Sequence, residues 1–206
     1  LISILTPLPS ANENLTSASV SANNGDQTQT LDSVYYAMFN PENGPRWTGN
    51  LKKYKVINGV QVGREGKPAL DEDSGHFSED VTSFWSTSNS KDGNSVSEGG
   101  VAGMLRNKLT RVVYSDIGSL GALALLTEET AGTSFGGSDQ LAVDMGVVED
   151  DIGDYLDWAK GKNTDSEKLE DGSIPVMRTD VFGDPLHSKP LVINYGSSVR
   201  ILIGTN

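Results

Sequence analysis

The sequence predicts a mainly β fold with long loops and one or two inserted helices. Only 36% of the 206 residues are apolar and 23 are glycine, so turns are frequent and the core is modest. Short β-branched and aromatic runs recur between turns that contain Asn, Pro and Gly. The clearest helical period is confined to one segment, residues 147–160.

The charge and the absence of cysteine exclude several classes of protein. Asp and Glu outnumber Lys and Arg by 28 to 16, which gives a net charge of −12. Nucleic-acid binding and attraction to anionic membranes need clustered cations, so neither partner is expected. An acidic surface suits high salt, divalent cations or basic partners, or serves solubility alone. Without cysteine there are no disulfides and no thiolate catalysis, and no apolar run reaches the ~18–20 residues of a membrane span.

A three-stranded meander is predicted over residues 34–62. Val34–Phe39 is a β-branched and aromatic strand that ends at a turn containing two prolines. A second strand leads to Asn58-Gly59, the strongest short signal for a hairpin, and Val60–Val62 follows. We also predict a final hairpin, from Pro190–Tyr195 and Val199–Gly204.

The remaining segments give less regular patterns. Val147–Lys160 is predicted to be a helix, because Ile152, Leu156 and Ala159 share a face and Gly161 can end it. Val101–Leu109 is a candidate helix, Arg111–Tyr114 a candidate strand, and residues 63–98 mostly loop. Residues 115–140 give mixed signals, with a helical turn or a strand over Leu120–Thr127.

The first 30 residues are predicted to be a linker or the end of a preceding domain. Ala11–Thr30 has almost no large apolar side chain, so it cannot bury enough surface to offset its ordering entropy. Leu1–Leu8 is a short strand or the end of a helix. The chain opens without Met and stops on an apolar strand-like run, so we expect it to be part of a longer protein.

Three separated stretches carry a specific pattern. The first, Tyr35–Lys55, reads YYAMFNPENGPRWTGNLKKYK. The second is Ser83-Phe84-Trp85 with Glu98–Ala102, before the strand Arg111–Tyr114. The third runs from Asp157–Gly161 through Phe182–Val192, with its GDPLHSKP, to Ile203–Asn206. In composition, order and spacing these stretches resemble the PilY/PilC family of bacterial type IV pilus tip adhesins, over roughly residues 31–206.

The resemblance implies a fold, a location and a role. Residues 31–206 would be the N-terminal portion of the family's modified β-propeller region. The protein would be extracellular, at the pilus tip on the bacterial cell surface, and would act without catalysis in pilus biogenesis, attachment and twitching motility. The expected partners are minor pilins or the pilus tip, and a host or abiotic surface ligand.

Calcium belongs to some members of that family, through an EF-hand-like loop in the propeller. Asp71, Asp73 and Gly75 come nearest to such a loop, but Ser74 and His76 break its pattern. We therefore expect no cofactor in these residues. Asp71 and Asp73 stay as the candidate metal ligands, against the simpler alternative of a solvated loop.

The other candidate residues for catalysis or binding each have a simpler structural explanation. Asp184, His187 and Ser188 contain the residue types of a catalytic triad, but so short a stretch cannot easily converge, and Asp184 before Pro185 suits a turn. Trp85 is the candidate for an adhesion surface, whereas Trp47 and Trp158 are predicted to lie in the core. Two other functions remain open: an enzymatic propeller of the quinoprotein dehydrogenase type, and a purely structural spacer.

Overall fold

The computed structural model describes residues 15–22, 30–86, 91–116 and 122–206, with side chains from residue 32 onward. Over these ranges the chain has eight strands in three separate antiparallel sheets, and four α helices. The described strands form no closed barrel or propeller, and about 23% of residues lie in strands and 20% in helices. The architecture is thus mixed α and β, where the sequence predicted mainly β with one or two helices.

The chain divides into two compact units. The first contains residues 1–104 and 182–206, and the second contains residues 105–181. The first unit therefore brings the C-terminal segment back to the N-terminal sheet. The region predicted over residues 31–206 contains most of the first unit and all of the second.

A four-stranded antiparallel sheet dominates the first unit. Its strands lie in chain order: β1 (Leu15–Ala22), β2 (Thr30–Asn40), β3 (Thr48–Ile57) and β4 (Val60–Val62). The predicted meander is confirmed. Asn58 and Gly59 join β3 to β4 with φ values of 52° and 81°, as the predicted two-residue turn requires.

Strand β1 corrects the prediction for the N-terminal segment. The linker or long loop predicted over residues 11–30 is wrong for Leu15–Ala22, which pairs with β2 from Leu15 opposite Phe39 to Ala22 opposite Thr30. Backbone hydrogen bonds to the neighbouring strand β2 stabilise this strand, although its own small polar side chains bury little apolar surface. The prediction for Leu1–Leu8 falls outside the described residues.

Both faces of β2 are covered. Val34, Tyr35, Ala37, Met38 and Phe39 are all buried although successive side chains point to opposite faces. On one face Tyr36 and Tyr54 pack with Phe77, with ring centroids 4.9 and 5.0 Å from that of Phe77. The sheet is thus a central layer, and its covered faces explain the nearly continuous apolar run of β2.

Two further elements complete the first unit's framework. Helix α1 spans Gly100–Arg106 and begins in this unit, close to the predicted Val101–Leu109. The C-terminal strands, β7 (Leu191–Asn194) and β8 (Val199–Leu202), form the predicted antiparallel hairpin.

Short helices are the main regular elements of the second unit. Strands β5 (Tyr114–Ser115) and β6 (Ala124–Leu125) pair, and α2 (Glu128–Ser134) and α3 (Ser138–Met145) follow. A 3-10 turn at Glu149–Asp151 leads into α4 (Ile152–Ala159), so the helix predicted over residues 147–160 is present but shorter. The core of this helical group is Ala131, Leu141, Ala142, Ile152 and Leu156.

Candidate functional site

The central strand β3 carries a row of buried polar side chains. Asn50, Lys52 and Tyr54 alternate along the strand, so they project from the same face, and each is 0% exposed. Buried polar groups need partners, because an unsatisfied one costs about 1–3 kcal/mol. The loop between β4 and α1 supplies those partners.

Lys52 forms a fully buried ion pair with Asp92. Its Nζ lies 3.1 Å from Asp92 Oδ2, neither side chain reaches solvent, and Nζ also donates to the Asp92 carbonyl. Ser83 completes the coordination of the carboxylate, donating from its amide to Oδ1 at 2.7 Å and from its hydroxyl to Oδ2 at 2.8 Å. Asp92 therefore joins the sheet to two separate points of the loop.

Burial shifts the proton affinity of two groups on this face. Desolvation lowers the pKa of the Lys52 amine, and the charge of Asp92 opposes that shift. Desolvation raises the pKa of the Tyr54 phenol, with the Asp92 charge acting in the same direction. Tyr54 keeps its proton and donates to the Gly93 carbonyl at 3.3 Å.

Asn50 ties the strand to the start of α1. Its Nδ2 donates to the carbonyls of Val96 at 2.8 Å and Gly99 at 3.1 Å, and its Oδ1 accepts from the Ala102 amide at 3.1 Å. The side chain thereby satisfies backbone groups that a loop leaves unpaired. We call the set Asn50, Lys52, Tyr54, Ser83 and Asp92 the buried polar cluster.

Two glycines let the loop approach this cluster. Gly99 and Gly100 have φ values of 58° and 57°. A Cβ on Gly99 would lie 2.2 Å from Asp92 Oδ2, and one on Gly100 would lie 2.4 Å from Asn50 Oδ1. Both the backbone conformation and the space exclude a side chain at these positions.

A second junction lies at the start of β3. The Gly49 amide donates to the Phe182 carbonyl at 3.0 Å, and the Asn206 amide donates to the Asp184 carbonyl at 3.0 Å. A Cβ on Gly49 would lie 2.1 Å from the Gly183 oxygen, and one on Gly183 would lie 2.1 Å from the Asn206 oxygen. Three separated backbone segments are thus in direct contact, a set that we call the glycine junction.

The predicted turn at Asp184 is confirmed. Asp184 is buried, and its Oδ1 accepts from the Leu186 amide and from Asn206 Nδ2, both at 3.1 Å. His187 is exposed, and the Ser188 hydroxyl accepts from the Gly204 amide at 2.8 Å. These contacts give Asp184 and Ser188 roles in holding the C-terminal hairpin.

Asp71 and Asp73 lie in an exposed turn of the first unit. Asp71 Oδ1 accepts from the amide and the hydroxyl of Ser74, both at 2.9 Å, and these bonds lower the pKa of Asp71. The turn borders a surface depression of about 470 Å³, which Glu72 and Asp80 also line. In the ranges that the structure describes, no group of three or more His, Asp or Glu side chains is placed to hold a metal ion.

The three tryptophans are all partly buried. Trp85 packs on Tyr35 with ring centroids 5.3 Å apart, and Trp47 stacks on Phe39 at 6.0 Å. In the second unit, the Arg178 guanidinium lies 4.0 Å above the Trp158 ring. Trp47 and Trp158 are therefore only partly in the core predicted for them, and Trp85, the candidate for an adhesion surface, is buried to a similar degree.

The sequence carries a signal for the buried polar cluster, although none of the candidate site residues predicted from sequence belongs to it. Asn50, Lys52 and Tyr54 recur at the two-residue period of a strand whose neighbour is strongly apolar, which points to polar groups inside a core. Their partner Asp92 follows 40 positions after Lys52, so no local pattern joins them.

Comparisons with protein-family models, curated proteins and solved structures gave no match to this chain. In the described ranges, every helix is too short or too polar to cross a membrane.

Proposed function

We propose that this chain is part of a type IV pilus tip adhesin of the PilY/PilC kind, and that it acts without catalysis through contacts with minor pilins and a surface ligand. The proposal includes an extracellular location at the pilus tip and a role in attachment and twitching motility. It also includes a modified β-propeller in the full-length protein, to which β7 and β8 contribute strands.

The observation that supports the proposal is where the motif residues meet. The WTGN, FGDP and GTN stretches were singled out by sequence, and their Gly49, Gly183 and Asn206 form the glycine junction. The WTGN stretch also meets the EGG stretch beside the buried polar cluster, where Asn50 Nδ2 donates to the Gly99 carbonyl. A pattern whose distant parts lock together describes one structural unit, which favours a shared fold over chance similarity.

A genetic experiment tests the role. In the bacterium that encodes this chain, deletion of the gene should abolish twitching and reduce surface attachment, and the wild-type gene should restore both. A gene carrying Gly183→Ala should restore neither, since its Cβ would collide with Asn206. Gly204→Ala is the matched control, because its Cβ would meet Ser188 Oγ at 3.4 Å, an ordinary contact.

A binding experiment separates the alternatives. The purified chain should bind at least one minor pilin from the same genome, measured by biolayer interferometry with and without calcium. Normal twitching after deletion would refute the pilus role. Pilin binding absent from the chain but present in the full-length protein would favour a spacer, and alcohol oxidation by the full-length protein with pyrroloquinoline quinone would favour the enzymatic propeller.

A further inference from the structure

Two exposed valines lie on and beside the helices of the second unit. Val143 of α3 is 71% exposed, whereas Leu141 and Ala142 of the same helix lie in the core, and Val148, directly before the 3-10 turn, is 63% exposed. A surface helix ordinarily turns polar residues outward, so exposed apolar side chains at such positions indicate a contact surface.

Carboxylates lie beside both valines. Val143 lies one turn after Asp139 on the same side of α3, and Val148 directly precedes Glu149. The charge of Asp139 and a hydrogen bond with it raise the pKa of Glu149, and Asp150 and Glu128 add to that effect. Three elements of the unit therefore direct negative charge at one place.

The surrounding sequence contains no cationic residue that could neutralise these carboxylates. Residues 112–159 contain ten Asp and Glu residues and no Lys, Arg or His. Like charges this close disfavour the free state, and a partner's cation would relieve the repulsion.

An open surface depression of about 550 Å³ adjoins the carboxylates and has room for a long cationic side chain. It lies between α2 and α3, and its lining residues are Glu128, Glu129, Gly132, Thr133, Gly137 and Ser138. Its two carboxylates and two hydroxyls are acceptors, which a lysine ammonium or an arginine guanidinium can satisfy.

We propose that this acidic helical face, made of Val143 and Val148 with Glu128, Glu129, Asp139 and Glu149, binds a basic amphipathic segment of a partner protein. The partner's apolar residues cover the valines, and a Lys or Arg enters the depression. A second copy of this chain is disfavoured as the occupant, because its net charge of −12 would repel this face. The inference does not depend on the pilus assignment, since it uses the second unit alone.

The test uses a fluorescein-labelled amphipathic helical peptide of Leu and Lys, about 18 residues long so that it forms a helix. Binding to the whole chain is followed by fluorescence anisotropy. One matched peptide has Ser in place of Leu, and the other has Glu in place of Lys. The Leu-Lys peptide should bind at least about tenfold more tightly than the Ser-Lys peptide, a difference of about 1.4 kcal/mol, and the Leu-Glu peptide should not bind.

Paired variants locate the surface. Asp139→Asn with Glu149→Gln, and separately Val143→Ser with Val148→Ser, should each weaken binding about tenfold. The controls are Glu72→Gln with Glu170→Gln, which removes the same charge from other exposed positions, and Ile174→Ser with Val176→Ser, which removes exposed apolar groups elsewhere. Both controls should bind like wild type.

Four results would overturn the inference. The first three are that the Leu-Lys peptide does not bind, that the Ser-Lys peptide binds as tightly, and that the control variants lose as much affinity as the paired variants. The fourth is that calcium displaces the peptide at the affinity with which calcium itself binds. Circular dichroism of each variant shows that the helices are retained, and a variant that fails to fold is replaced by the single substitution Val143→Thr.

Discussion

Lys52 and Asp92 are the residues whose separation should destabilise the protein most. Removing one partner leaves the other charge buried and unpaired, so Lys52→Met or Asp92→Leu should each lower the free energy of unfolding by about 3–5 kcal/mol. The double variant, which removes both charges, should be less destabilised than either single variant. Urea denaturation followed by tryptophan fluorescence measures all three.

The exposed pair of Lys91 with Asp80 is the control for that experiment. Both side chains are mostly in solvent, so Lys91→Met should leave the urea midpoint unchanged. If Lys52→Met shifts the midpoint no more than Lys91→Met does, the buried pair does not stabilise the loop as described.

Gly99 should tolerate no side chain. Gly99→Ala adds a Cβ 2.2 Å from Asp92 Oδ2 in a backbone region that costs an L residue about 1–2 kcal/mol. Gly66→Ala is the matched control, because Gly66 has a φ of 75° with nothing within 4 Å of the added Cβ. Differential scanning calorimetry should show a larger fall in Tm for Gly99→Ala, and equal falls would mean that backbone strain alone acts at Gly99.

At the residue scale, local chemistry was predictable and distant pairing was not. The Asn58-Gly59 turn and the Asp184 turn depend on a few neighbouring atoms, and the sequence predicts both. Lys and Asp side chains ordinarily lie on the surface of a protein, and only the fold brings Lys52 and Asp92 together inside the core. Asp71 and Asp73 are candidate metal ligands because they are close in sequence. In the structure, Asp71 Oδ1 accepts hydrogen bonds from the amide and the hydroxyl of Ser74.

At the element scale, strong periodic segments were predictable and short helices were not. The meander strands and the C-terminal hairpin follow from β-branched runs bounded by turn residues. Helices α2 and α3 are 7 and 8 residues long, and α2 contains Gly, Thr and Ser while α3 contains Ser and two Asp, so their own propensity is low. Their core contacts through Ala131 and Leu141 stabilise them, and such packing is not visible in a short window of sequence.

The N-terminal cap of α2 should be important to so short a helix. The Thr127 hydroxyl accepts from the Thr130 amide at 3.1 Å, and the Thr130 hydroxyl accepts from the Thr127 amide at 3.1 Å. Thr127→Ala should therefore destabilise α2 by about 1 kcal/mol and speed amide hydrogen exchange at Ala131. Thr133→Ala, an exposed change within the same helix, should leave exchange unchanged. Similar exchange rates in the two variants would show that the cap contributes little.

At the scale of the whole molecule, the two units place different chemistry on the two parts of the chain. The first unit uses its polar residues inside, where they connect distant backbone segments. The second unit has a small apolar core and carries most of its charged residues on the surface, although Arg178 is buried and paired with Asp180. The mainly β prediction followed from the first unit's residues and missed the second, where tertiary packing outweighs low helix propensity.

The response of stability to alkaline pH should distinguish the buried tyrosines from the buried lysine. Burial raises the phenolic pKa of Tyr35, Tyr36 and Tyr54 above the ordinary value of about 10. Above that pH the unfolded chain loses phenolic protons that the folded chain retains, so the free energy of unfolding falls, by about 1.4 kcal/mol per pH unit for Tyr54. Lys52 acts with the opposite sign. Its pKa is lowered in the folded chain, so between that value and about 10.4 the unfolded chain holds more protons and stability rises with pH.

Urea unfolding at pH values from about 8 to 11 should therefore show a free energy of unfolding that rises with pH until about pH 10, through Lys52, and then declines steeply, as the lysine contribution ends and the tyrosines remain. Tyr54→Phe should make the decline shallower because it removes the most deeply buried phenol, whereas Tyr195→Phe, at a residue 65% exposed, should leave it unchanged. An identical slope in wild type and Tyr54→Phe would mean that the Tyr54 phenol reaches solvent, and the buried polar cluster would then lack one of its members.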